Sequence, residues 1–502
     1  MIWSVELRFI FYDFETTGRN YNWDQIIQVG AVITNETLEE IDNFECSCIL
    51  KPGIVPEPAA LLVNKRIPGE HTNLSHYNLV KLMWKKFNQW IEEYGPLAFF
   101  GYNSINFDEE FLRRTFYKNL FPPFLTSSNN YGVSNKRGDI INLARSSNYF
   151  YPGTLKTSFN EKGKEIFKLE QLASDNIISD QGNNLTFHDA LDDTRATIGI
   201  AKIIKNKAPI LWESGLKTMS KIEAHDFIKD EEFVISAEFY FGLTRFYVVS
   251  YICEDTNGNI KAFDLRNDPK QFMRLGDNEF KEIINNTTPK ILRTITKNKH
   301  PILMKGEFAN AVIGYETIGF DELKRRAKFL SENNEILSKL KRFIMDDQKE
   351  YKIDQLDKEP EESIYTYGFA NKSQKFLMEE FHKATSWEKK LEISKKFIDL
   401  ATQDFNSIQR GKIYSEFSKI LLFEENQNIL EKDEKARIKK KLADRVFYPD
   451  TDTVKSPWNN INRAFMEIEN LGAKLEDEGK VEDLKFLYKI KDLLEKIENE
   501  FN

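Results

Sequence analysis

The sequence has few cysteines and no long apolar run. Its 502 residues include only Cys46, Cys48 and Cys253, which are too few for a disulfide framework and form no CxxC zinc pattern. The longest apolar stretches fall well short of the roughly 18 residues that a membrane-spanning helix needs. The N-terminal MIWSVELRF carries an early acid and does not fit a signal peptide. We therefore expect a cytoplasmic protein with no membrane partner.

A surplus of positive charge is also lacking. The chain has 71 Lys and Arg against 79 Asp and Glu, which gives a net charge of −8. This balance argues against a protein that coats polyanions over its whole surface, although a groove can still be locally basic. Hydrophobic residues make up 41% of the chain, enough for packed cores. The length suggests roughly two to four domains.

Three regions differ in their hydrophobic patterns. Residues 1–205 alternate apolar runs with helical patterns, which predicts an α/β domain with a mixed sheet flanked by helices. Residues 206–350 contain aromatic and β-branched runs around Asn257-Gly258, a strong hairpin signal, and predict a β-rich domain with a helical tail. Residues 351–502 keep helical spacing and predict an all-α C-terminal domain.

Two acids interrupt an apolar run near the N-terminus. In FIFYDFETTG, Asp13 and Glu15 lie two residues apart, so in a strand both side chains leave the same face. Acids are seldom buried unless they are paired or hold a metal. The turn signal Thr16-Thr17-Gly18 places them near the strand's carboxyl end. Taken alone, the pair is equally compatible with an ordinary surface turn.

A third acid falls on the apolar stripe of a predicted helix. In GYNSINFDEEFLRR, Asp108 shares the face of Phe111 and Leu112. The same spacing places Glu109 and Glu110 on a wetter side, with the arginines that follow them. An acid favoured by the helix dipole is the alternative interpretation of Asp108.

A fourth acid follows a histidine in FHDALDDTRATIGIAKII. Asp193 aligns with Ile200 and Ile204 on the buried face of the predicted helix, whereas Asp192 aligns with the surface. His188 precedes the helix and is expected in a loop over its first turn. A capping or surface role is the alternative for a single histidine.

Together these motifs predict a metal site. Asp13, Glu15, Asp108 and Asp193 would converge with His188, and four inward carboxylates need cations. Oxygen ligands select hard ions, so we expect Mg²⁺ or Mn²⁺ rather than Zn²⁺. Two such ions about 4 Å apart suit displacement at a phosphodiester. His188 would then be the general base for the attacking water.

The order DFETTG, NSINFD and H-x4-D resembles the histidine-bearing branch of the DEDD exonuclease superfamily. The resemblance implies a ribonuclease-H-like fold for the first domain. It also implies that Asp13, Glu15, Asp108, His188 and Asp193 are catalytic. Asp13, Glu15 and Asp193 would bind two Mg²⁺ ions, for which Mn²⁺ substitutes.

The three-domain order is similar to that of the bacterial exodeoxyribonuclease I family, as are the strings GYNSINFDEEF, IFKLEQL and ITKNKHPIL. This resemblance implies an SH3-like middle domain. It further implies a monomeric Mg²⁺-dependent 3′→5′ exonuclease that degrades single-stranded DNA to nucleoside 5′-monophosphates in DNA repair and recombination. A single-strand-binding protein is a further implied partner.

Four residues are expected to contact the substrate. They are Glu15, Thr16, Arg113 and Lys168. Lys168 stands where the family commonly has Arg and lacks the two-pronged contact of a guanidinium. Phe121 and Phe124 are suited either to base stacking or to core packing. The acid-free residues 290–305 predict a surface that follows the DNA backbone, and the polar residues 346–363 predict a linker.

Three alternatives stay open. An exoribonuclease would carry the same metal residues, because the contacts that distinguish the sugars are not legible in the sequence. A polymerase-associated proofreading nuclease is a second alternative, although two extra domains argue against it. A non-catalytic single-strand-binding protein is a third. The presence of all five predicted catalytic residues argues against a non-catalytic protein.

Overall fold

The computed structural model describes residues 7–127, 129–130, 133–178, 188–240, 242–348, 358–399, 404–451 and 453–502. The first residue of the FHDALDD motif, Phe187, lies outside these residues, as do residues 349–357 of the predicted linker at 346–363. The three cysteines are free.

The N-terminal region is built on a five-stranded sheet with the strand order β3–β2–β1–β4–β7. Its strands and the two short hairpins beside it are β1 (Arg8–Thr16), β2 (Ile26–Thr34), β3 (Glu40–Ser47), β4 (Leu97–Gly101), β5 (Asn129–Asn130), β6 (Val133–Ser134), β7 (Lys136–Asp139), β8 (Ser158–Phe159) and β9 (Glu165–Ile166). Strands β1, β2 and β3 are antiparallel neighbours, while β1, β4 and β7 run parallel. The predicted mixed sheet is confirmed.

Helices cover both faces of this sheet. They are α1 (Pro58–Asn64), α2 (His76–Tyr94), α3 (Asp108–Lys118), α4 (Ile140–Phe150), α5 (Leu169–Ala173) and α6 (Ala190–Lys207). Several begin at a side chain that accepts a backbone N–H, as Ser75 does for α2, Asp139 for α4 and Asp189 for α6. Such caps satisfy N–H groups that have no partner within the helix.

The alternation of β1 explains why it is buried on both faces. Phe9 and Phe11 belong to the core shared with α4 and α6. Ile10, Tyr12 and Phe14 belong to the core on the opposite face, shared with α2 and α3. Because successive side chains of a strand point to opposite faces, an apolar run of this kind suits the middle of a sheet.

The middle region begins with two helices and continues as a second five-stranded sheet, in which all neighbours are antiparallel, with the order β13–β12–β11–β10–β14. Its elements are α7 (Pro209–Thr218), α8 (Lys221–Asp230), β10 (Val234–Tyr240), β11 (Leu243–Glu254), β12 (Ile260–Asp264), α9 (Asp277–Asn286), β13 (Leu292–Ile295), β14 (Leu303–Lys305), α10 (Phe320–Glu332) and α11 (Asn334–Gln348). Gly258, at φ 75°, turns the predicted hairpin between β11 and β12. The SH3-like assignment stays a prediction.

The described part of the C-terminal region is helical, as predicted. Its helices are α12 (Lys372–Lys383), α13 (Trp387–Asp399), α14 (Phe405–Asn426), α15 (Lys432–Val446), α16 (Ile461–Asp477) and α17 (Val481–Phe501). The predicted boundary at 205 falls within α6, and the one at 350 lies outside the described residues. Both boundaries stay predictions. None of the described helices is long and apolar enough to cross a membrane.

The three regions share hydrophobic cores. One core joins Phe9 and Phe100 of the first sheet to Trp212 of α7 and to residues of the second sheet. The core on the opposite face of the first sheet includes Tyr117 and continues into the C-terminal helices, where Phe417 packs. The first sheet therefore lies between the other two regions and packs against both.

Candidate active site

The carboxyl end of β1 carries the first two predicted acids. Strand β1 pairs with β4 only as far as Phe11, so beyond that residue its edge on the β4 side is free of a strand. Asp13 lies opposite Gly30 of β2, and Glu15 lies opposite Gln28. The register shifts after Glu15. Both acids thus project from one face at the place where the strand leaves the sheet.

Asp108 fills the position beside that edge. It is the first residue of α3 and is buried. The backbone N–H of Phe14 donates to Asp108 Oδ1 at 3.2 Å, which ties the helix to the strand between the two acids. Preceding residues are fixed by Asp139, whose carboxylate accepts the backbone N–H groups of Asn103 and Ile105 at 2.8 and 3.1 Å. The predicted inward position of Asp108 is therefore confirmed.

The remaining two predicted residues come with α6, which approaches β2 very closely. A Cβ added to Gly30 would lie 2.2 Å from the carbonyl carbon of Ala190, so only glycine permits this contact. Gln28 fastens the same turn, because its Oε1 accepts the Ala190 N–H at 3.1 Å and its Nε2 donates to Asp189 Oδ2 at 3.1 Å. His188, at φ 66°, turns the chain into the helix just before this contact.

These contacts bring three of the predicted residues together. One ligand atom each from Glu15, His188 and Asp193 lies within 4.8 Å of the others, which suits a metal ion. Asp13 is not a member of this compact group in the described residues, although its charge interacts with that of Asp193. The sequence predicted Asp13, Glu15 and Asp193 as ligands and His188 as a base. Placing His188 among the potential ligand atoms is a result that the motifs alone did not give.

The carboxyls at this site repel one another. Burial, followed by the charges of Asp193 and Asp189, holds the pKa of Asp13 well above its usual range. Burial, followed by Asp13 and Asp193, raises the pKa of Glu15 to about 9. Burial raises the pKa of Asp193 to about 7. The pKa of Asp108 is also raised, by burial and then by the charge of Asp13.

The residues present fit a divalent cation. Within the described residues, none of Asp13, Glu15, Asp108 and Asp193 forms a salt bridge. The charge of the Arg66 guanidinium acts to lower the pKa of Glu15, but this effect is smaller than that of burial. The same guanidinium is hydrogen-bonded to Asp189. Buried carboxylates without a counter-charge are costly, and a bound cation removes that cost. Carboxylate oxygens suit Mg²⁺ or Mn²⁺, and an imidazole nitrogen is compatible with the latter.

A cleft of about 490 Å³ opens beside these groups. His188 and Asp193 line it together with the predicted substrate residue Lys168, which is exposed at the start of α5. Arg145 also lines the cleft and was not found from the sequence, where it carries no motif. Thr16, another predicted substrate residue, is buried and donates its hydroxyl to the Gly18 carbonyl at 2.7 Å. Direct contacts of Lys168 and Thr16 with substrate stay predictions.

The prediction that Glu109 lies on a wetter side of α3 is wrong. Glu109 is fully buried and accepts hydrogen bonds from Arg137 at 2.7 Å and from Tyr12 at 3.0 Å. It also forms a salt bridge of 2.8 Å with Arg113. Arg137 comes from strand β7, and helical spacing cannot reveal such a partner from another element. Arg113, a predicted substrate residue, is thus held by a buried carboxylate, and its contact with substrate stays a prediction.

The acid-free residues 290–305 are not a continuous exposed surface. Arg293 is buried and pairs with Asp264 at 3.2 Å. His300 is buried as well, and its Nδ1 accepts the Asp139 N–H at 2.9 Å. Arg293 and His300 are thus engaged within the protein, whereas Lys290, Lys299 and Lys305 are exposed. A backbone-following role for these lysines stays a prediction.

The two phenylalanines differ in their surroundings. Phe121 is buried and stacks on His382 with ring centroids 3.8 Å apart, which is core packing. Phe124 is half-buried, and the Arg113 guanidinium lies 5.1 Å from its ring centroid. Of the two, Phe124 is the more exposed.

Comparison with known proteins agrees with this geometry. Residues 10–201 match the RNase_T exonuclease family. Exodeoxyribonuclease I of Buchnera aphidicola from Schizaphis graminum is 32% identical over 243 residues, which is 48% of this chain and 48% of that protein. Exodeoxyribonuclease I of Buchnera aphidicola from Acyrthosiphon pisum is 31% identical over 276 residues, covering 53% and 64%. The chain thus spans about half to two thirds of the length of these relatives.

Solved structures are similar over the whole chain. E. coli Exonuclease I in complex with a dT13 oligonucleotide has a TM-score of 0.73 at 19% identity, covering 98% of this chain and 100% of that one. An SSB/Exonuclease I structure with an inhibitor has a TM-score of 0.68 at 20% identity, covering 97% and 100%. At this identity the similarity shows the fold alone. Residues 10–201 are therefore similar to the exonuclease family, and the overall fold of the chain is similar to that of the exonuclease I structures.

Proposed function

We propose that this protein is a Mg²⁺-dependent 3′→5′ exonuclease that degrades single-stranded DNA to nucleoside 5′-monophosphates. The convergence of Glu15, His188 and Asp193 within 4.8 Å, with the half-buried Asp13 and the buried Asp108 beside them, carries the proposal. Relatives named exodeoxyribonuclease I and a similar fold solved with a dT13 oligonucleotide support the substrate and the reaction. A role in DNA repair and recombination belongs to the same proposal.

The acids would hold the metal. Asp13, Glu15 and Asp193 are the residues that would bind two Mg²⁺ ions, with Mn²⁺ as a substitute. When bound, Mg²⁺ supplies positive charge for the phosphoryl oxygens and makes water a better nucleophile at neutral pH. Asp108, fixed by the Phe14 N–H, completes the negative surroundings that retain the ions.

His188 is suited to move the proton. It lines the cleft beside Glu15 and Asp193, in the turn before α6, so a ring nitrogen lies close to the carboxylates that would hold the metal. In our proposal it accepts a proton from the attacking water as the new P–O bond forms and the 3′-oxygen of the preceding nucleotide leaves.

The cleft beside His188 would receive the 3′ end of the strand. Lys168 and Arg145 line it and carry the positive charge that DNA phosphates need. Glu15 and Thr16, at the end of β1, would contact the terminal nucleotide. A single-strand-binding protein is a partner in this proposal, supported by the solved SSB/Exonuclease I structure of similar fold.

A degradation assay tests the proposal. Single-stranded DNA, duplex DNA and single-stranded RNA, each labelled at the 3′ or the 5′ end, are incubated with Mg²⁺ or with EDTA. We expect the 3′ label to be released first from single-stranded DNA, only with Mg²⁺, and we expect Asp13→Asn to abolish release while leaving the melting temperature close to wild type. Faster degradation of RNA would overturn the substrate assignment. Binding of single-stranded DNA without degradation would overturn the proposal that the protein is an enzyme.

A further inference from the structure

A short loop joins the catalytic strand to its neighbour. We call residues 17–25, between β1 and β2, the β1–β2 loop. Asp24 is its centre: the carboxylate accepts the Thr17 hydroxyl at 3.0 Å and the Asn20 N–H at 2.8 Å. The Thr17 N–H donates to the Gln25 carbonyl at 2.9 Å. These hydrogen bonds join residues within the loop to one another. A contact between one loop residue and another part of the protein therefore constrains the whole loop.

The C-terminal helical region holds this loop through a buried tryptophan. Trp23 is 6% exposed, and its ring centroid lies 4.7 Å from that of Trp458. The guanidinium carbon of Arg445, near the end of α15, lies 4.8 Å from the Trp23 ring centroid. The Trp23 indole also donates to Glu362 at 3.3 Å. A cation and a second aromatic ring thus enclose a residue that lies more than 400 positions earlier in the chain.

The enclosing residues are themselves fixed. Arg445 forms a salt bridge with Glu361 at 2.8 Å, and its backbone carbonyl accepts the Trp458 indole N–H at 3.1 Å. A separate bond joins the loop to the same segment, since Asn20 Nδ2 donates to the Pro457 carbonyl at 2.8 Å. The loop is therefore anchored to preorganised partners.

The end of β1 leads directly into this anchored loop and is also held by Asn64, whose Nδ2 donates to the Thr16 carbonyl at 3.2 Å. The register of the β1–β2 ladder shifts between Glu15 and Thr16, and β4 pairs with β1 only as far as Phe11. The sheet therefore constrains Glu15 less than it constrains the middle of the strand. Beyond Thr16 the chain continues into the β1–β2 loop, and the loop is held by the helical region.

We infer that Arg445 and Trp458 are positioning residues for the active site: by enclosing Trp23 they hold the β1–β2 loop and so set the place of Glu15 relative to Asp193. This inference rests on the proposed function, in which Glu15 and Asp193 share a metal. It gives the C-terminal helical region a part in placing the residues that would hold the metal.

Four variants of the full chain test the inference. Trp458→Ala removes one wall of the enclosure, and Trp458→Phe restores an aromatic ring. Arg445→Lys keeps the charge but loses the planar stacking surface. Arg437→Lys is the matched control, because Arg437 lies two turns earlier on the same helix and pairs with Glu416 and Glu434 rather than with the loop.

The readouts separate positioning from general destabilisation. For Trp458→Ala and Arg445→Lys we expect kcat on single-stranded DNA to fall between about 10-fold and 10²-fold, as small misplacements do, with KM changed by less than about twofold. The Mg²⁺ concentration for half-maximal rate should rise, and hydrogen exchange in residues 17–25 should speed up. Trp458→Phe should recover most of kcat, and Arg437→Lys should match wild type.

Other outcomes would overturn the inference. A lower melting temperature with wild-type kcat and Mg²⁺ dependence would show that the enclosure is structural only. Unchanged exchange in residues 17–25 of Trp458→Ala would show that the loop does not depend on it. If the wild-type chain degrades no DNA, the proposed function fails instead. In that case, calorimetric Mg²⁺ binding and hydrogen exchange still decide the inference: both unchanged in Trp458→Ala and Arg445→Lys overturn it, and both altered uphold it.

Discussion

Asp13 lies directly opposite Gly30 in the ladder between β1 and β2, and the first turn of α6 rests on that glycine. The pairing explains how an acid on a strand and an acid on a distant helix come to share a site. Without a side chain at Gly30, the helix backbone reaches the strand, and Asp193 follows it one turn later. The glycine thus sets the distance between two parts of the metal site.

Gly30→Ala should damage both the fold and the reaction. The new Cβ would lie 2.2 Å from backbone of Ala190, so α6 has to move away. We expect a lower melting temperature and a loss of exonuclease rate of about 10²-fold or more. The control is Gly276→Ala, since no atom lies within 4 Å of a Cβ there and its φ is −65°. Wild-type activity of Gly30→Ala would contradict this account of how Asp193 is placed.

His188→Ala should affect turnover far more than binding. If the imidazole accepts the proton from water, its removal should reduce kcat by about 10² to 10⁴-fold. Affinity for a single-stranded oligonucleotide, measured by fluorescence anisotropy in EDTA, should change little. His188→Gln serves as the matched variant, because it keeps a polar side chain that cannot act as a base. Equal losses of kcat and affinity would indicate a binding role instead.

The metal-free protein should lose stability as the pH rises. Burial and mutual repulsion raise the pKa of Glu15 to about 9 and that of Asp193 to about 7. Carboxyls with raised pKa values in the folded state contribute stability that is full below about pH 4, the unfolded value, and is lost as the pH rises through the folded values. In EDTA, this contribution to the melting temperature should therefore fall between about pH 4 and pH 9.

Adding Mg²⁺ should reverse that loss, most strongly at pH 8 to 9 where the carboxylates are least compensated. Thermal melts over the pH range, with and without the ion, measure both effects. The variant with both Glu15→Gln and Asp193→Asn is the control, and its melting temperature should be nearly insensitive to Mg²⁺. A wild-type protein whose stability in EDTA rises from pH 5 to pH 9, and which Mg²⁺ does not stabilise, would contradict the site.

Glu109→Ala should be among the most damaging substitutions outside the metal site. It would leave Arg113 and Arg137 buried without the carboxylate they share. Breaking a buried ion pair in this way costs about 3–5 kcal/mol. Glu223→Ala, which breaks the exposed pair with Lys136, is the control and should cost less than about 1 kcal/mol. Urea denaturation measures both, and equal losses would contradict the structural role of Glu109.

Much of the site was predictable because its signals are local. Alternation along β1 shows that Asp13 and Glu15 leave one face, and the apolar run IIQVGAVIT forms β2. Asp108 was recognised because an acid on an apolar stripe is anomalous. Glu109 was misplaced by the same method, since helical spacing shows which residues share a face but not what covers that face.

The residues that link β2 to the start of α6 were missed for a related reason. Gln28 looks like any polar residue within an apolar strand, yet it bridges β2 to the start of α6. Asp189 offered one usable signal, an acid directly before an apolar helical run, which is typical of an N-cap. Arg145 offered none. Contacts between distant segments depend on tertiary packing, which the periodicity of a single segment does not encode.

The hydrophobic cores that are shared between regions limit how the N-terminal region can be produced on its own. Phe9 lies against Trp212 with ring centroids 5.9 Å apart, and Tyr117 lies against Phe417 at 5.2 Å. A fragment that ends near residue 205 would lose both Trp212 and Phe417. It would expose aromatic side chains of the N-terminal region in both cores. Such a fragment would aggregate on expression.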